Sequence, residues 1–277
     1  MIWIVADSAQ ELKTDRDKGL VVAPLGIIAS GEPMEEGFTS EDFYRTQQQK
    51  GVTITTSQVS PAVYMDIFED LLKNPEDEVI VISLASALSG SYNSARLAKT
   101  SVDEKRIHLI DSQTISFPMV LLVQEALNLR NQGKSAQEIV DILEEDKKKV
   151  RLLGLVPTLE YLKRGGRISA ATAAIGELAG IKPILTLEEG KIAVPLKVRG
   201  MKKAYNSMAR LAKEWDIDLD RPVLFGYTGL DSQPAQTLKE AFESQLKTTF
   251  AADYMEGCYI LATHTGPEGA IAGFFVK

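Results

Sequence analysis

The stretch Val79-Ile80-Val81-Ile82-Ser83-Leu84, running through Ala85-Ser86-Ala87-Leu88 into Ser89-Gly90-Ser91-Tyr92, decides the fold. A short run of β-branched residues bounded by polar sequence reads as a strand covered on both faces, the habit of parallel sheets. Helical periodicity then sets in over Tyr92–Lys99. A strand that feeds a helix through a brief loop is half of a β-α-β unit. The start of such a helix has free amides and the positive end of a dipole, so an anion is stabilised there. Ser89 adds a hydroxyl, and Gly90 permits close approach of backbone. The same residues also suit a plain helix start capped by Ser89.

Working outward, Ile2–Ala6 and Ile107–Ile110 are similar apolar runs, and Ala62–Leu72, Met119–Asn131 and Ala136–Lys148 carry helical periodicity. Ser60 before Pro61 is an N-cap with proline at the first helical position. Gly133-Lys134-Ser135 stops one helix, and Ser135 with Glu138 makes a capping box for the next. This alternation predicts a parallel sheet covered by helices. After Val150 the pattern changes. Leu152–Val156 reads as a strand, Thr158–Lys163 as a helical turn ended by Gly165-Gly166, and Ala170–Ala179 as a helix rich in alanine and glycine. Ile184–Leu187 and Lys191–Val194 form a hairpin across Glu188-Glu189-Gly190. Met201–Trp215, Val223–Tyr227 and Pro234–Leu246 resume the alternation. The expected architecture is α/β with two α/β domains, 1–150 and 151–277. The first holds a mainly parallel sheet flanked by helices, the second a mixed sheet with helices.

Composition narrows the function. The chain has 277 residues, 44% apolar and 25% charged, with a net charge of -7. Residues 1–150 carry 24 acids against 15 bases, and residues 151–277 carry 14 against 16. That balance argues against nucleic acid as a partner, which needs a basic footprint. One basic run, Lys197, Arg199, Lys202 and Lys203, suits a solvated helix start or a docking patch. No stretch approaches the roughly 20 apolar residues of a membrane span. The start, Met1-Ile2-Trp3-Ile4-Val5-Ala6-Asp7, reads as a first strand and not as a signal peptide. Cys258 is the only cysteine, which excludes an internal disulfide and suits the cytoplasm. Phosphate loops, dinucleotide fingerprints, zinc motifs and the nucleophile elbow are all missing, so neither a metal nor a cofactor is expected.

Three segments can carry chemistry. His264, one of two histidines, sits in Ala262-Thr263-His264-Thr265-Gly266-Pro267-Glu268-Gly269 and is expected on a tight glycine loop. Thr55-Thr56-Ser57-Gln58 is expected to be a loop with free side chains. Ser89-Gly90-Ser91 stands at the helix start described above. Together they offer hydroxyls, backbone amides and one imidazole, enough to bind a small carboxylate. Tyr161-Leu162-Lys163-Arg164-Gly165-Gly166-Arg167 adds a sharp turn from which Arg167 projects as a supporting charge, its planar fork suited to anions. His108 reads as a strand residue bonded to backbone. Asp7 and Asp111 end apolar strands and cap loops at the carboxyl edge of the sheet, where ligands of open α/β folds bind.

These motifs, in this order, resemble the DegV family of bacterial fatty-acid-binding proteins. The resemblance runs from Ile4-Val5-Ala6-Asp7-Ser8 through Thr56-Ser57-Gln58-Val59-Ser60-Pro61, Leu88-Ser89-Gly90-Ser91-Tyr92, Ile110-Asp111-Ser112, Leu159–Ile168 and Ile181–Leu185 to His264-Thr265-Gly266-Pro267. It implies two α/β domains with a long-chain fatty acid buried in a tunnel between them. It also implies a likeness to the lipid-carrying subunit of bacterial fatty acid kinase, a non-catalytic protein that presents the carboxylate to a separate ATP-binding subunit. By resemblance the carboxylate falls to Thr56 or Ser57, to Ser89 with Gly90, and to His264 with Thr265, with Arg167 nearby. Arg199 and Lys202 fall to partner docking. Three positions depart from the family pattern: Phe117-Pro118 after the Asp111-Ser112 strand, Glu268 where a glycine usually follows the proline, and Gly200 where threonine is common. The first is expected to reshape the tail pocket, and Glu268 to place negative charge near the head group.

Burying each methylene is worth about 0.8 kcal/mol, so a tail of about 15 supplies on the order of 10 kcal/mol before ordering costs. Ala170, Ala171, Ala173, Ala174 and Gly176 leave room for such a tail or for tight helix packing. Tail burial then supplies affinity, and the hydroxyls and histidine supply orientation. The alternative is an acyl-transfer hydrolase with Ser89 as nucleophile and His264 as base.

Overall fold

The structure, a computed structural model, describes residues 1–34, 37–168 and 180–277. The helix expected over 170–179 lies outside them. The first part of the chain runs β1 (Ile2–Asp7), β2 (Leu20–Ala23), β3 (Gly26–Ala29), β4 (Glu32–Pro33), α1 (Ser40–Gln48), β5 (Ile54–Ser57), α2 (Pro61–Leu71), β6 (Glu78–Ser83), α3 (Ser91–Val102), β7 (Ile107–Asp111), α4 (Phe117–Asn131) and α5 (Ala136–Asp146). The second part runs β8 (Val150–Leu155), α6 (Glu160–Arg164), β9 (Ile181–Glu188), β10 (Lys191–Arg199), α7 (Met201–Glu214), β11 (Leu224–Thr228), α8 (Gln233–Leu246), β12 (Met255–Glu256), α9 (Tyr259–Thr265) and β13 (Gly269–Phe275).

The β-branched runs build the expected parallel sheet, in the order β2-β1-β6-β7. Val5 pairs with Val81, and Val81 with Leu109. Ile4, Ile80, Ile82 and Ile107 are fully buried in it, as expected for strands covered on both faces. Local signals place the helix starts. Ser60 accepts from the Val63 amide with Pro61 at the first turn, and Ser135 and Glu138 form the reciprocal capping box.

Asp7 and Asp111 close the loops at the carboxyl edge, as read from the sequence. Asp7 accepts from Ser83 Oγ and Leu84 N, both at 2.8 Å, and burial pushes its carboxyl up to about 6 against those hydrogen bonds. Asp111 accepts from Ser86 N and Gln113 N at 3.1 Å. His108 differs from its reading. Its Nε2 lies 2.9 Å from Glu78 Oε2, a side-chain partner on the neighbouring strand and not backbone.

The second sheet is mixed, in the order β10-β9-β8-β13-β11-β12. Along β8 the faces alternate. Leu153 and Leu155 pack into a core with Met208, Phe225 and Phe242, while Leu152, Gly154 and, just beyond, Val156 face the other way into a cavity. The hairpin expected across Glu188-Glu189-Gly190 is present and longer than expected, with Arg199 paired to Ile181. Its Gly190 has φ +76° and lies against Ala85 and Ala87 in the loop after β6.

Two features were not anticipated. A small antiparallel sheet, β4-β3-β5, takes in Thr55, Thr56 and Ser57, so this segment is a strand end and not a loop. Helix α4 is buried nearly all round over Phe117–Val123, because it packs against both large sheets. Phe117 is seated against Gly226 of β11 and Gly273 of β13, where any Cβ would collide with it. The Phe117-Pro118 departure therefore joins the two sheets and does not line that cavity, contrary to expectation.

Candidate functional site

A cavity of about 390 Å³ lies between the carboxyl edge of the parallel sheet and the inner face of the mixed sheet. Leu84, Leu88 and Ile115 come from loops after β6 and β7, and Leu152, Leu185 and Ile271 from the mixed sheet. The walls are predominantly apolar. One end is polar, where Thr56, Ser89, His264 and Arg167 meet. Arg167 is the one charged residue among the described lining.

His264 stands in the last turn of α9, not on a loop. The helix spans seven residues and ends at Gly266, whose φ of +72° turns the chain toward β13. His264 Nε2 lies 3.0 Å from Thr56 Oγ1. Burial pulls the imidazole down to about 4, and the Arg167 charge pushes the same way, so the ring is neutral at neutral pH. Its Nδ1 is buried with no partner among the described residues. An unpaired lone pair there is the cheaper arrangement than an orphaned N–H, which places the proton on Nε2. His264 then donates to Thr56, and the Thr56 hydroxyl proton is available to a ligand.

The glycines of the Tyr161–Arg167 segment explain how the ring is held. A Cβ on Gly165 would fall 2.1 Å from His264 Nδ1, and a Cβ on Gly266 would fall 2.3 Å from the Tyr161 ring. The two motifs interlock, each supplying a glycine where the other supplies a ring. Arg167 follows this turn and donates to the carbonyls of Leu88, at 3.4 Å, and Gly165. It fastens the loop that carries Ser89 to the turn against which the histidine packs.

Ser89 Oγ accepts from Ser91 N at 3.2 Å and lies 3.0 Å from Ser91 Oγ. The Gly90 amide has no hydrogen-bond partner among the described residues. Gly90 also packs against Gln58, whose amide end would have to move for a Cβ there, 1.9 Å from its Oε1. Gln58 is not free either. It donates to Ser94 Oγ at 2.9 Å and so ties β5 to α3.

The remaining expected residues divide. Ser57 lines the cavity edge but is exposed, turned toward Gly26, and it is Thr56 that meets the histidine. Thr265 is buried, and its hydroxyl proton goes to the Leu261 carbonyl at 3.0 Å. Glu268 is exposed with φ +64° and does not line the cavity, so no negative charge enters the head-group site. Arg199 and Lys202 are exposed beside Lys197 and Lys203, flanking Gly200, whose φ of +87° a threonine would occupy only with strain. None of the four basic residues lines the cavity. Sequence reading missed the cavity face of β8, although the alternation Leu152, Gly154, Val156 marks it. It also gave Ser91 no role of its own and missed the packing role of Gly165.

Ser89 and His264 are not paired as nucleophile and base. Ser89 bonds to Ser91, His264 Nε2 to Thr56, and no acid orients Nδ1 among the described residues. What the site can do is offer neutral hydroxyl and amide donors to an anion at the end of an apolar cavity. No described helix is long and apolar enough to cross a membrane.

The family model described as "uncharacterised protein, DegV family" matches residues 1–277. A DegV domain-containing protein of Caldanaerobacter subterraneus subsp. tengcongensis is 37% identical over 274 residues, 97% of this chain and 96% of that protein. Among solved structures the chain is similar to a fatty-acid-binding DegV family protein from Thermus thermophilus, with 28% identity, a TM-score of 0.85 and 99% of each chain covered. It is also similar to a stearic acid-binding protein from Eubacterium ventriosum, with 26% identity, a TM-score of 0.86 and coverage of 99% and 98%. The chain belongs to the DegV family.

Proposed function

We propose that this protein binds a long-chain fatty acid with its tail in the cavity between the sheets and its carboxylate at Thr56, Ser89 and His264. The observation that carries the reading is the cavity itself, about 390 Å³ with apolar walls and a polar end made of neutral donors beside one arginine. The fatty acids held by the Thermus and Eubacterium relatives support the ligand class. Burial of methylenes dominates affinity, at about 0.8 kcal/mol each. The head-group bonds fix which end of the molecule is presented.

The finer reading is that the carboxylate is presented to a separate ATP-binding kinase subunit, which phosphorylates it. The family resemblance suggests this role, and the exposed run Lys197, Arg199, Lys202 and Lys203 is its docking surface for an acidic face. Residues 1–150 and 151–277 form the two structural units of the proposal, with the ligand between them.

Native mass spectrometry of the purified protein, followed by lipid extraction, tests the first step. A bound long-chain fatty acid is expected. A ligand-free mass, with no uptake when fatty acid is titrated in, refutes it. Phosphorylation of the bound acid by an added ATP-binding subunit tests the second step.

A further inference from the structure

The hydroxyl of Ser91 has a task that its place in the helix does not require. Ser91 is fully buried at the first turn of α3, and among the described residues its Oγ bonds to two groups. The Val59 amide donates to it at 3.2 Å, and Ser89 Oγ lies 3.0 Å away. Val59 is itself buried and sits between β5, which carries Thr56, and α2.

The direction of the Ser91–Ser89 bond follows from counting protons and lone pairs. Val59 occupies one lone pair of Ser91 Oγ. If Ser89 donated to the other, the Ser91 proton would be buried without an acceptor among the described residues, an arrangement native structures avoid. With Ser91 donating, every group is satisfied. Ser89 Oγ then accepts twice, from Ser91 Oγ and from Ser91 N at 3.2 Å. Both of its lone pairs are filled, so its own proton can only be given away, and Ser89 lines the cavity.

We infer that Ser91 is a positioning residue that makes Ser89 an obligate hydrogen-bond donor to the ligand carboxylate. It never touches the ligand. It acts through Ser89, taking its own orientation from the Val59 amide, which lies three residues after Thr56 in the chain. This rests on the fatty-acid reading above and specifies how that site recognises an ionised acid in preference to its ester or alcohol, which lack the charged acceptor.

The test is a double-variant cycle read at the ligand. Carboxyl-¹³C palmitate is bound to wild type, Ser89→Ala, Ser91→Ala and the double variant, and the bound carboxyl resonance and the dissociation constant are recorded for each. Ser91→Ala is expected to shift the resonance in the same direction as Ser89→Ala and to weaken binding by roughly tenfold. It is expected to add nothing in the Ser89→Ala background. A wild-type resonance in Ser91→Ala overturns the inference. So does an additive effect in the double variant, because a residue acting only on the fold is indifferent to whether Ser89 is present. Wild type that takes up no labelled acid overturns the fatty-acid reading and this inference with it, and is recognised by the missing bound signal.

Discussion

Replacing Gly165 by alanine puts the site geometry to a sharp test. Gly165 has φ -72° and ψ -6°, a backbone that alanine adopts without strain. Local propensity favours alanine over glycine at a helix end by up to about 1 kcal/mol. The packing points the other way. The new Cβ would lie 2.1 Å from His264 Nδ1, 2.7 Å from Cε1 and 3.3 Å from Cγ. Non-bonded heavy atoms rest at about 3.5–4.0 Å, so the ring must retreat by roughly 1 Å or more. Retreat breaks the 3.0 Å bond to Thr56, a loss of about 0.5–1.5 kcal/mol. The overpacking adds about 1–3 kcal/mol. After the propensity gain, a net destabilisation of roughly 1–3 kcal/mol remains, read as a Tm drop of several degrees. A second reading comes from His264 itself. Its imidazole, held down to about 4 by burial, is expected to titrate closer to the ordinary 6.5 once displaced, which ring-proton NMR measures directly. A Gly165→Ala variant at least as stable as wild type, with His264 still titrating near 4, refutes the interlock.

Four other outcomes are expected. Thr56→Ala weakens fatty acid binding by about 1.5–3 kcal/mol, whereas Ser57→Ala leaves it near wild type; equal losses in calorimetric titration contradict the assignment to Thr56. The Glu11 carboxyl is buried against Ser116 and the Cys258 amide, and burial pushes it up to about 7. Its stabilising contribution is therefore complete below the unfolded value of 4.5 and lost as pH rises through about 7. Glu11→Gln, neutral throughout, should gain on wild type by about 3 kcal/mol between pH 4.5 and 8; a gap that stays constant in denaturant melts across that range counts against the burial argument. Gly273→Ala drives a Cβ to 2.7 Å from Phe117 Cβ and 2.9 Å from Pro118 N, and a cost of about 1–3 kcal/mol in unfolding free energy is expected. Arg199→Ala lowers partner binding or acyl phosphate formation and its salt dependence while fatty acid affinity stays unchanged; loss of lipid binding with normal partner binding assigns the residue to the pocket instead.

Local signals were readable wherever the physics is local. The apolar runs around Val81 in β6 and Ile107 in β7, the Ser60-Pro61 and Ser135–Glu138 caps, and the Glu188-Glu189-Gly190 turn each carry their structure within a few residues. The small sheet was not readable, because Gly26–Ala29 and Ile54–Ser57 are four residues each and too short for a period to show. The helix that carries His264 has seven residues and ends in a glycine, so its sequence looks like a loop. The meeting of Gly165 with His264 is a tertiary fact that no pattern within either segment encodes. The same holds for Phe117, whose seat is made by glycines far along the chain. The segments holding Thr56 and Ser89 were singled out by residue type and their expected carboxylate role by the family resemblance; what distinguishes Thr56 from Ser57 is which face of a strand end turns inward.

The neutrality of His264 reaches beyond binding. A carboxylate clamped by a full ion pair surrenders electron density to its partner and becomes a sluggish nucleophile. At this site the available donors are hydroxyls and an amide, the uncharged imidazole gives its proton to Thr56, and the nearby guanidinium of Arg167 donates to two carbonyls. If the protein presents a fatty acid to a kinase subunit as proposed, an acid held in this way stays oriented yet keeps its negative charge on its own oxygens, free to attack an incoming phosphorus. On the proposed function, the burial that keeps the ring uncharged thereby preserves the reactivity of the bound acid.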